Sequence, residues 1–464
     1  MIFTGRSREL GWLRSILDRR TPQVVRVVGL TGVGKSALIH RAMTDFPGAR
    51  VQCPPLPEPA QRAALAKALA PLSGDEVPDA SDWPTLLTQA LRLAQASERP
   101  WVLVLEDAHR LTEARVRLAT PLAQALRAAT ESGTALHVVM VGRSAATPGE
   151  HPIGEFTPET LEVAPLPFRA AAVHLPGQDA EARLRAYGVF GGIPRVLAAL
   201  DTSVTVGTNV RRLLLTAEGT LADGPLAWLE REVQTPSRYV SILSTLARGE
   251  ADWGAVHGGV SDLTRSGQVA PYLRRLGELG LVCSRTPLDA GPRARITRYS
   301  LTDPFLAFWF RFGLPWMLTP RRLDPSLSIR EHYARDIRPH IDEHMEAVMP
   351  LAARQHMELD ALETMGSVAR ESGSLWAGGV EIPVVGMLRS GAAYYGMTAW
   401  RTPDRGASPL EALDRLIRDT RYGFGRERRL RVVFAGRAPP TWLRRESARR
   451  QDARLIDAEE LLGS

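Results

Sequence analysis

At 464 residues the chain exceeds one compact core, and at roughly 100 to 200 residues per domain it predicts three or four units. Its apolar fraction of 44% is that of a globular protein, and it shows neither a long unbroken apolar run nor a basic-then-apolar leader. The expectation is a cytoplasmic protein without a membrane span or secretory signal. The 58 basic against 51 acidic residues leave a net charge of +7, which permits nucleic acid as a partner without demanding it.

Cys53 and Cys283 are the only cysteines, and neither has a metal-type partner at short spacing, so a disulfide framework and a structural zinc are excluded. Lys35 and Lys67 are the only lysines, against 56 arginines. A lysine retained in so arginine-rich a chain points to a position that needs a compact ammonium.

In chain order, the first readable unit is QVVRVVGL, a β-branched apolar strand ending in glycine, followed after a short loop by SALIHRAM, which has helical spacing. Between them Gly29, Gly34, Lys35 and Ser36 complete G-x-x-x-x-G-K-[ST] in the strand-to-helix setting that a phosphate loop requires. Backbone N–H groups from Gly29, Thr31, Gly32, Val33, Gly34 and Ala37 would then face phosphate oxygens at a helix N-terminus. Lys35 would reach the β and γ phosphates and Ser36 would ligate magnesium, making ATP with Mg2+ the expected cofactor pair. Arginine's planar fork does not replace an ammonium in so small a loop, which accounts for Lys35.

The next apolar strand, WVLVLEDAHRL, closes on Glu106 and Asp107. The first acid is expected to orient the magnesium shell and the second to polarise the attacking water, in the reverse of the commoner Asp-Glu order, so either could hold the metal and hydrolysis could be slow. A third strand, ALHVVMVGRSA, ends at Arg143, where a γ-phosphate sensor would stand. Arg110, Arg115 and Arg143 are the candidates for an arginine that completes a neighbour's site in an oligomer.

These motifs resemble the archaeal-type ATPases of the AAA+/STAND branch, and the resemblance runs over most of the chain. FTGRSREL looks like that family's opening segment, which implies that the backbone near Gly5 and Arg6 lies beside adenine. YGVFGGIPRVL resembles its G-G-I-P lid motif and implies a base or ribose contact for Pro194. YVSILSTLARGEADWGAVHGG resembles the first half of its winged helix, with Tyr239, Ile242, Leu243 and Leu246 on one apolar face. A second helix follows through VAPYLRRLGELG, then a wing whose return strand is expected from Arg293 to Tyr299. The implied DNA contacts are Arg274, Arg275, Arg285, Arg293, Arg295 and Arg298, mostly to phosphates. The aromatic stretch YSLTDPFLAFWFRFGLP is expected to pack the wing against the next part of the chain.

The family's last domain resembles PD-(D/E)xK nucleases. Glu346 matches the helix acid, but Pro383, Met397 and Ala399 occupy the positions of the strand aspartate, glutamate and lysine. Neither Glu381 nor Arg401 restores the set. The expected fold is therefore an α/β P-loop NTPase core (1–170), a helical lid (171–230), a winged helix-turn-helix (231–318) and a restriction-endonuclease-like α/β domain without catalytic residues (319–464). Arg426, Arg428, Arg429, Arg444, Arg445, Arg449 and Arg450 give that last domain a basic rim. The expected function is an ATPase switch acting on DNA, with no nuclease activity; an ATP-dependent protein-interaction scaffold of the STAND type is the alternative.

Overall fold

The computed structural model describes residues 3–74, 81–114, 116–142, 153, 155–291, 296–319, 328–376, 380–426 and 428–463. The chain forms two compact units, Met1–Ala164 with Glu278–Gly280, and Pro165–Gly277 with Leu281–Ser464.

The first unit is built on strands β1 (Val24–Val28), β2 (Gly48–Gln52), β3 (Trp101–Glu106), β4 (Leu136–Val141) and β5 (Glu159–Glu162). They form one parallel sheet in the order β2-β3-β4-β1-β5. Every residue of β3 is buried, as a strand covered on both faces by helices must be, and this is why WVLVLE reads as an unbroken apolar run. One covering helix, Trp83–Gln95, begins with the Asp82 carboxylate accepting from Thr85 N and buries Trp83, Leu86, Leu87, Ala90, Leu91 and Ala94 along one face. It packs with the helices Glu58–Leu69 and Ala119–Glu131 into the core on one face of the sheet. Because β4 alone separates β1 from β3, the loops leaving β1 and β3 emerge at the same edge, the crevice where open α/β sheets bind ligands.

In the second unit the helices Pro236–Leu246, Trp253–Gly258 and Ala270–Glu278 accompany β6 (Ala251–Asp252), β7 (Val282–Arg285) and β8 (Arg298–Leu301), an antiparallel sheet in the order β6-β8-β7. Ile242, Leu243 and Leu246 are buried as their spacing predicts, while Tyr239 is half-buried and meets Tyr272 edge-on at 5.1 Å. The return strand expected from Arg293 instead begins at Arg298; Arg293 and Arg295 lie outside the described residues. In the aromatic stretch Phe305, Phe308, Trp309 and Phe310 are buried, Trp309 Nε1 donating to the preceding Ala222 carbonyl at 3.0 Å and Phe308 meeting His344 of the following segment edge-on at 5.3 Å.

A long helix, Ile341–Leu359, precedes a second sheet of β9 (Ala369–Leu375), β10 (Ile382–Leu388), β11 (Ala393–Ala399), β12 (Arg429–Ala435) and β13 (Ala453–Ile456). The order is β13-β12-β11-β10-β9, antiparallel from β9 to β11 and parallel from β11 to β13. The helix Pro409–Asp419 makes the crossover between β11 and β12.

Candidate nucleotide-binding site

The loop after β1 turns sharply, and its glycines are needed there. At Gly29 the backbone has φ +147°, and an added Cβ would lie 2.3 Å from the Val163 carbonyl oxygen, so only glycine fits. Gly34, at φ +95°, hands the loop to the helix Lys35–Ala42, leaving that helix without a side-chain cap at its start. Unsatisfied N–H groups there are what an anion requires.

Lys35 Nζ donates to the carbonyls of Gly29 and Leu30 at 2.8 and 2.9 Å, holding its charge over the loop. Val33 is fully buried, its N–H donating to the Leu30 carbonyl at 3.4 Å and its carbonyl accepting from Arg6, so it offers nothing to a ligand in this conformation, whereas Thr31 and Gly32 are half-buried and Ser36 and Ala37 exposed. Arg6 is buried and donates to the carbonyls of Val33 at 3.0 Å and Ala164 at 2.6 Å, with Glu9 as ion-pair partner at 2.9 Å. Its guanidinium braces the loop from behind. Gly5, next to it, takes a positive φ of 66° that turns the chain into the helix Ser7–Leu17.

Glu106 ends β3 only 5% exposed, and its Oε2 accepts from Ser36 Oγ at 2.8 Å. Two motifs seventy residues apart in sequence thus meet side chain to side chain. Asp107 is the one non-glycine residue among those described with a positive φ, 54°. Its carboxylate accepts from Gln52 Nε2 at 2.8 Å and lies 3.6 Å from the Arg110 guanidinium, on a backbone conformation that non-glycine residues adopt at a cost. The neighbouring Cys53 thiol is pushed up to about 12, by burial first and by the Asp107 carboxylate second, so it stays protonated and unreactive.

A hydroxyl and a carboxylate oxygen facing each other fit the hard-oxygen demand of Mg2+, which takes few protein ligands and relies on phosphates and water for the rest. Among the described residues no group of three or more His, Cys, Asp or Glu side chains offers an all-protein cage. The other Glu106 oxygen, Oε1, lies 2.7 Å from the Arg50 guanidinium. The contact is between charges rather than along an aligned hydrogen bond, since Oε1 has no hydrogen-bond partner.

Arg50 and Gln52 were missed in the sequence. Both sit on β2, two residues apart and therefore on one face, and the pairing of Gln52 with Glu106 sets them beside the acidic pair. Their alternation was available in GARVQ; the neighbour relation of β2 to β3 was not.

Residues 2–141 match the AAA ATPase domain model. The chain thus carries an AAA ATPase domain, and such a domain implies nucleotide binding. An uncharacterized protein of Methanocaldococcus jannaschii, MJECL04, is 23% identical over 270 residues, covering 55% of this chain and 57% of that protein. The chain therefore spans little more than half the length of that relative. Among solved structures, the Walker-type ATPase PABY2304 of Pyrococcus abyssi aligns with a TM-score of 0.50 and 16% identity, over 66% of this chain and 95% of that one. The ORC2 protein of Aeropyrum pernix, solved as ADPNP-ADP complexes, aligns at a TM-score of 0.41 and 14% identity, over 67% and 93%. The first of these likenesses shows a shared fold.

The remaining expected site residues lie elsewhere. Pro194 is buried in the second unit, opening the short helix Pro194–Leu197. The glycines before it have a packing reason, because a Cβ on Gly191 would lie 1.8 Å from Asp303 Oδ1 and one on Gly192 would lie 1.9 Å from the Leu166 carbonyl oxygen. Arg143 and Arg115 lie outside the described residues.

Of the expected DNA contacts, Arg274 is exposed and Arg275 is half-buried, reaching the Glu232 carbonyl at 3.5 Å. Arg285 and Arg298 are both engaged by acids. Arg285 is largely buried and paired with Glu250; burial first, then the neighbouring Arg354 and Arg298, push its guanidinium down to about 9. Arg298 pairs with Glu381 at 2.7 Å and lies over the Trp376 ring at 5.0 Å. Both arginines are engaged by contacts inside the unit, which their local sequence alone did not reveal.

At the expected helix acid, Glu346 accepts from Trp400 N at 3.0 Å and Arg401 N at 2.8 Å. The Pro383 carbonyl accepts from Arg354 and Ser374, and Met397 and Ala399 bring no charge to β11.

Proposed function

We propose that this protein is an ATP-binding and ATP-hydrolysing switch that couples its nucleotide state to DNA binding or remodelling. The nucleotide half rests on the 2.8 Å approach of Ser36 Oγ to Glu106 Oε2 at the mouth of a glycine loop. In this reading the loop from Gly29 to Ala37 cradles the phosphates and the Lys35 ammonium offsets their charge. Ser36 and Glu106 hold Mg2+, which when bound neutralises charge developing on the phosphoryl oxygens. Asp107 orients the attacking water, and its strained backbone supports that role. Gly5 and Arg6 back the adenine side, and Arg110, Arg115 or Arg143 completes a neighbour's site in an oligomer.

For the DNA half we read the three helices with the β6-β8-β7 sheet as a winged helix, with Arg274 as its outward-facing cation and Arg275, Arg293 and Arg295 as further phosphate contacts. Residues 319–464 we read as a nuclease-like domain that has lost catalysis. Two features support this: uncharged Pro383, Met397 and Ala399 stand at three ligand positions, and the Glu346 carboxylate is committed to two backbone N–H groups.

Purified protein assayed for ATP turnover with and without single- and double-stranded DNA, beside Lys35→Ala, tests the reading. Turnover that requires Lys35 and rises with DNA is the expected result. The pairing of Arg285 with Glu250 and of Arg298 with Glu381 favours the second reading, a STAND-like scaffold that holds or releases a protein partner. Lys35-dependent turnover indifferent to DNA, with no salt-sensitive duplex binding, would select it.

A further inference from the structure

We propose that the turn before β12 and the arginine-lined groove beside it bind single-stranded nucleic acid. Phe424 is 81% exposed, the most exposed large apolar side chain among those described. Gly423 and Gly425 bracket it with φ of 64° and 76°, and this pair of left-handed residues turns the ring outward. The base of the turn is anchored: Tyr395 Oη donates to the Tyr422 carbonyl at 2.6 Å and Tyr422 Oη to Glu371 at 2.7 Å. A Cβ at Gly423 would lie 2.6 Å from Tyr395 Oη, so the turn has one way to sit. The Arg429 guanidinium lies 5.6 Å from the Phe424 ring centroid, forming a cation–aromatic pair in the open.

Arg426, Arg428, Arg429 and Arg431 line a cavity of about 340 Å³ next to this turn. Through Arg428, Leu430 and Gln451 it runs into a second cavity of about 790 Å³ that adds Arg444, Arg450 and Arg454. Asp414 and Asp452 neutralise Arg431 and Arg450, and Asp457 pairs with Arg444. Arg426, Arg428 and Arg429 form no ion pair with an acid among the described residues; Glu427 lies outside them.

This surface is distinct from the nuclease-like positions of the same sheet. Since Ala393 pairs with Arg429 and Ala399 with Ala435, the turn enters at one end of β11 while Met397 and Ala399 lie toward the other, four and six residues or about 13 and 20 Å away.

The combination selects its ligand. An exposed ring can stack on a base only where the base's own faces are uncovered, which a duplex prevents and a single strand allows. An acidic protein would use the arginines but give the ring no role. A lipid surface is flat, whereas these arginines line concave space that a strand can follow. Stacking accepts any base, so binding is expected to tolerate sequence.

The test uses the full chain without nucleotide and follows the anisotropy of labelled oligothymidylate and oligouridylate of about twenty nucleotides, longer than the roughly 4 to 16 that such surfaces occupy. Mixed-sequence duplex and phosphatidylserine vesicles are run in parallel. The expected result is single-strand binding that Phe424→Ala weakens roughly five- to hundredfold and Phe424→Tyr preserves. The Arg426→Ala/Arg428→Ala pair should lower the slope of log affinity against log salt by about 1.4. The two oligonucleotides separate DNA from RNA as the source of the strand. Absence of single-strand binding, indifference to Phe424→Ala, or preference for duplex or vesicles would each overturn the proposal. ATP turnover, a separate measurement on the same variants, reports on the nucleotide reading, so one can fail without the other.

Discussion

Glu106 and Glu346 are two carboxylates, one in each unit, and their partners differ in kind. Glu106 faces a hydroxyl and a guanidinium, both on side chains that can rotate away when a cation arrives. Glu346 accepts two backbone N–H groups at the end of β11, where nothing can swing aside without breaking the strand's exit. A carboxylate held by side chains is available for chemistry, while one held by main chain has become part of the architecture. On the proposed function, this contrast would let the first carboxylate serve a metal while the second serves only the fold.

The sharpest way to break the comparison is to remove charge at the first site. Lys35→Ala and Glu106→Gln should each lower ATP turnover by roughly 100-fold or more, the usual cost of deleting a group that stabilises transition-state charge. Glu106→Gln should still bind nucleotide, as measured by a fluorescent ATP analogue. Turnover within a few-fold of wild type in Glu106→Gln would move the metal role to Asp107.

Asp303 provides the next largest effect. It is fully buried and its carboxyl is raised to about 7, mainly by burial, although Gly192 N and Phe305 N donate to it at 2.7 and 2.9 Å. A folded-state value above the unfolded one means that its contribution to stability is complete below about pH 4 and lost as pH rises through about 7. Urea unfolding at pH 5 and pH 8 should reveal a loss of roughly 2–4 kcal/mol on this account. Asp303→Asn cannot titrate and should flatten that slope, whatever constant offset its altered hydrogen bonding adds.

Glu346→Ala comes third. Leaving the N–H groups of Trp400 and Arg401 without their acceptor should destabilise the second unit by roughly 1–3 kcal/mol. Turnover of ATP should be unchanged. Magnesium-dependent cleavage of plasmid that Glu346→Ala abolishes would contradict the reading of this carboxylate as structural.

The legibility of each region in the sequence has the same physical basis. The phosphate loop and the acid strand were readable because their chemistry is local: glycine spacing, a lysine and a buried apolar run are properties of contiguous residues. The amphipathic face of Ile242, Leu243 and Leu246 was legible for the same reason. The contacts of Arg285 and Arg298 were not legible because they depend on Glu250, Glu381 and Trp376, which are remote in sequence and come near only in the folded unit. An arginine beside a wing has no local signal that says which way it turns. The same holds for the glycines before Pro194, whose neighbours include Asp303, more than a hundred residues later.

Arg50 is the smallest effect and the finest test of the contrast. Its guanidinium is about 40% exposed and lies 2.7 Å from Glu106 Oε1, so it holds one oxygen of the carboxylate that Mg2+ needs. An ion pair so open to solvent is worth about 0.2–1 kcal/mol, small enough for a divalent cation to displace. Removing it should ease metal entry: in Arg50→Ala the half-saturating Mg2+ concentration for turnover, at saturating ATP, should fall by about two- to fivefold. High salt should shrink the difference between the two proteins, because screening already weakens the pair in the wild type. A higher Mg2+ requirement in Arg50→Ala would mean that the guanidinium steadies Glu106 for the metal rather than competing with it. In that case the side-chain partners of Glu106 would be as fixed as the main-chain partners of Glu346, and the distinction between the two carboxylates would fail.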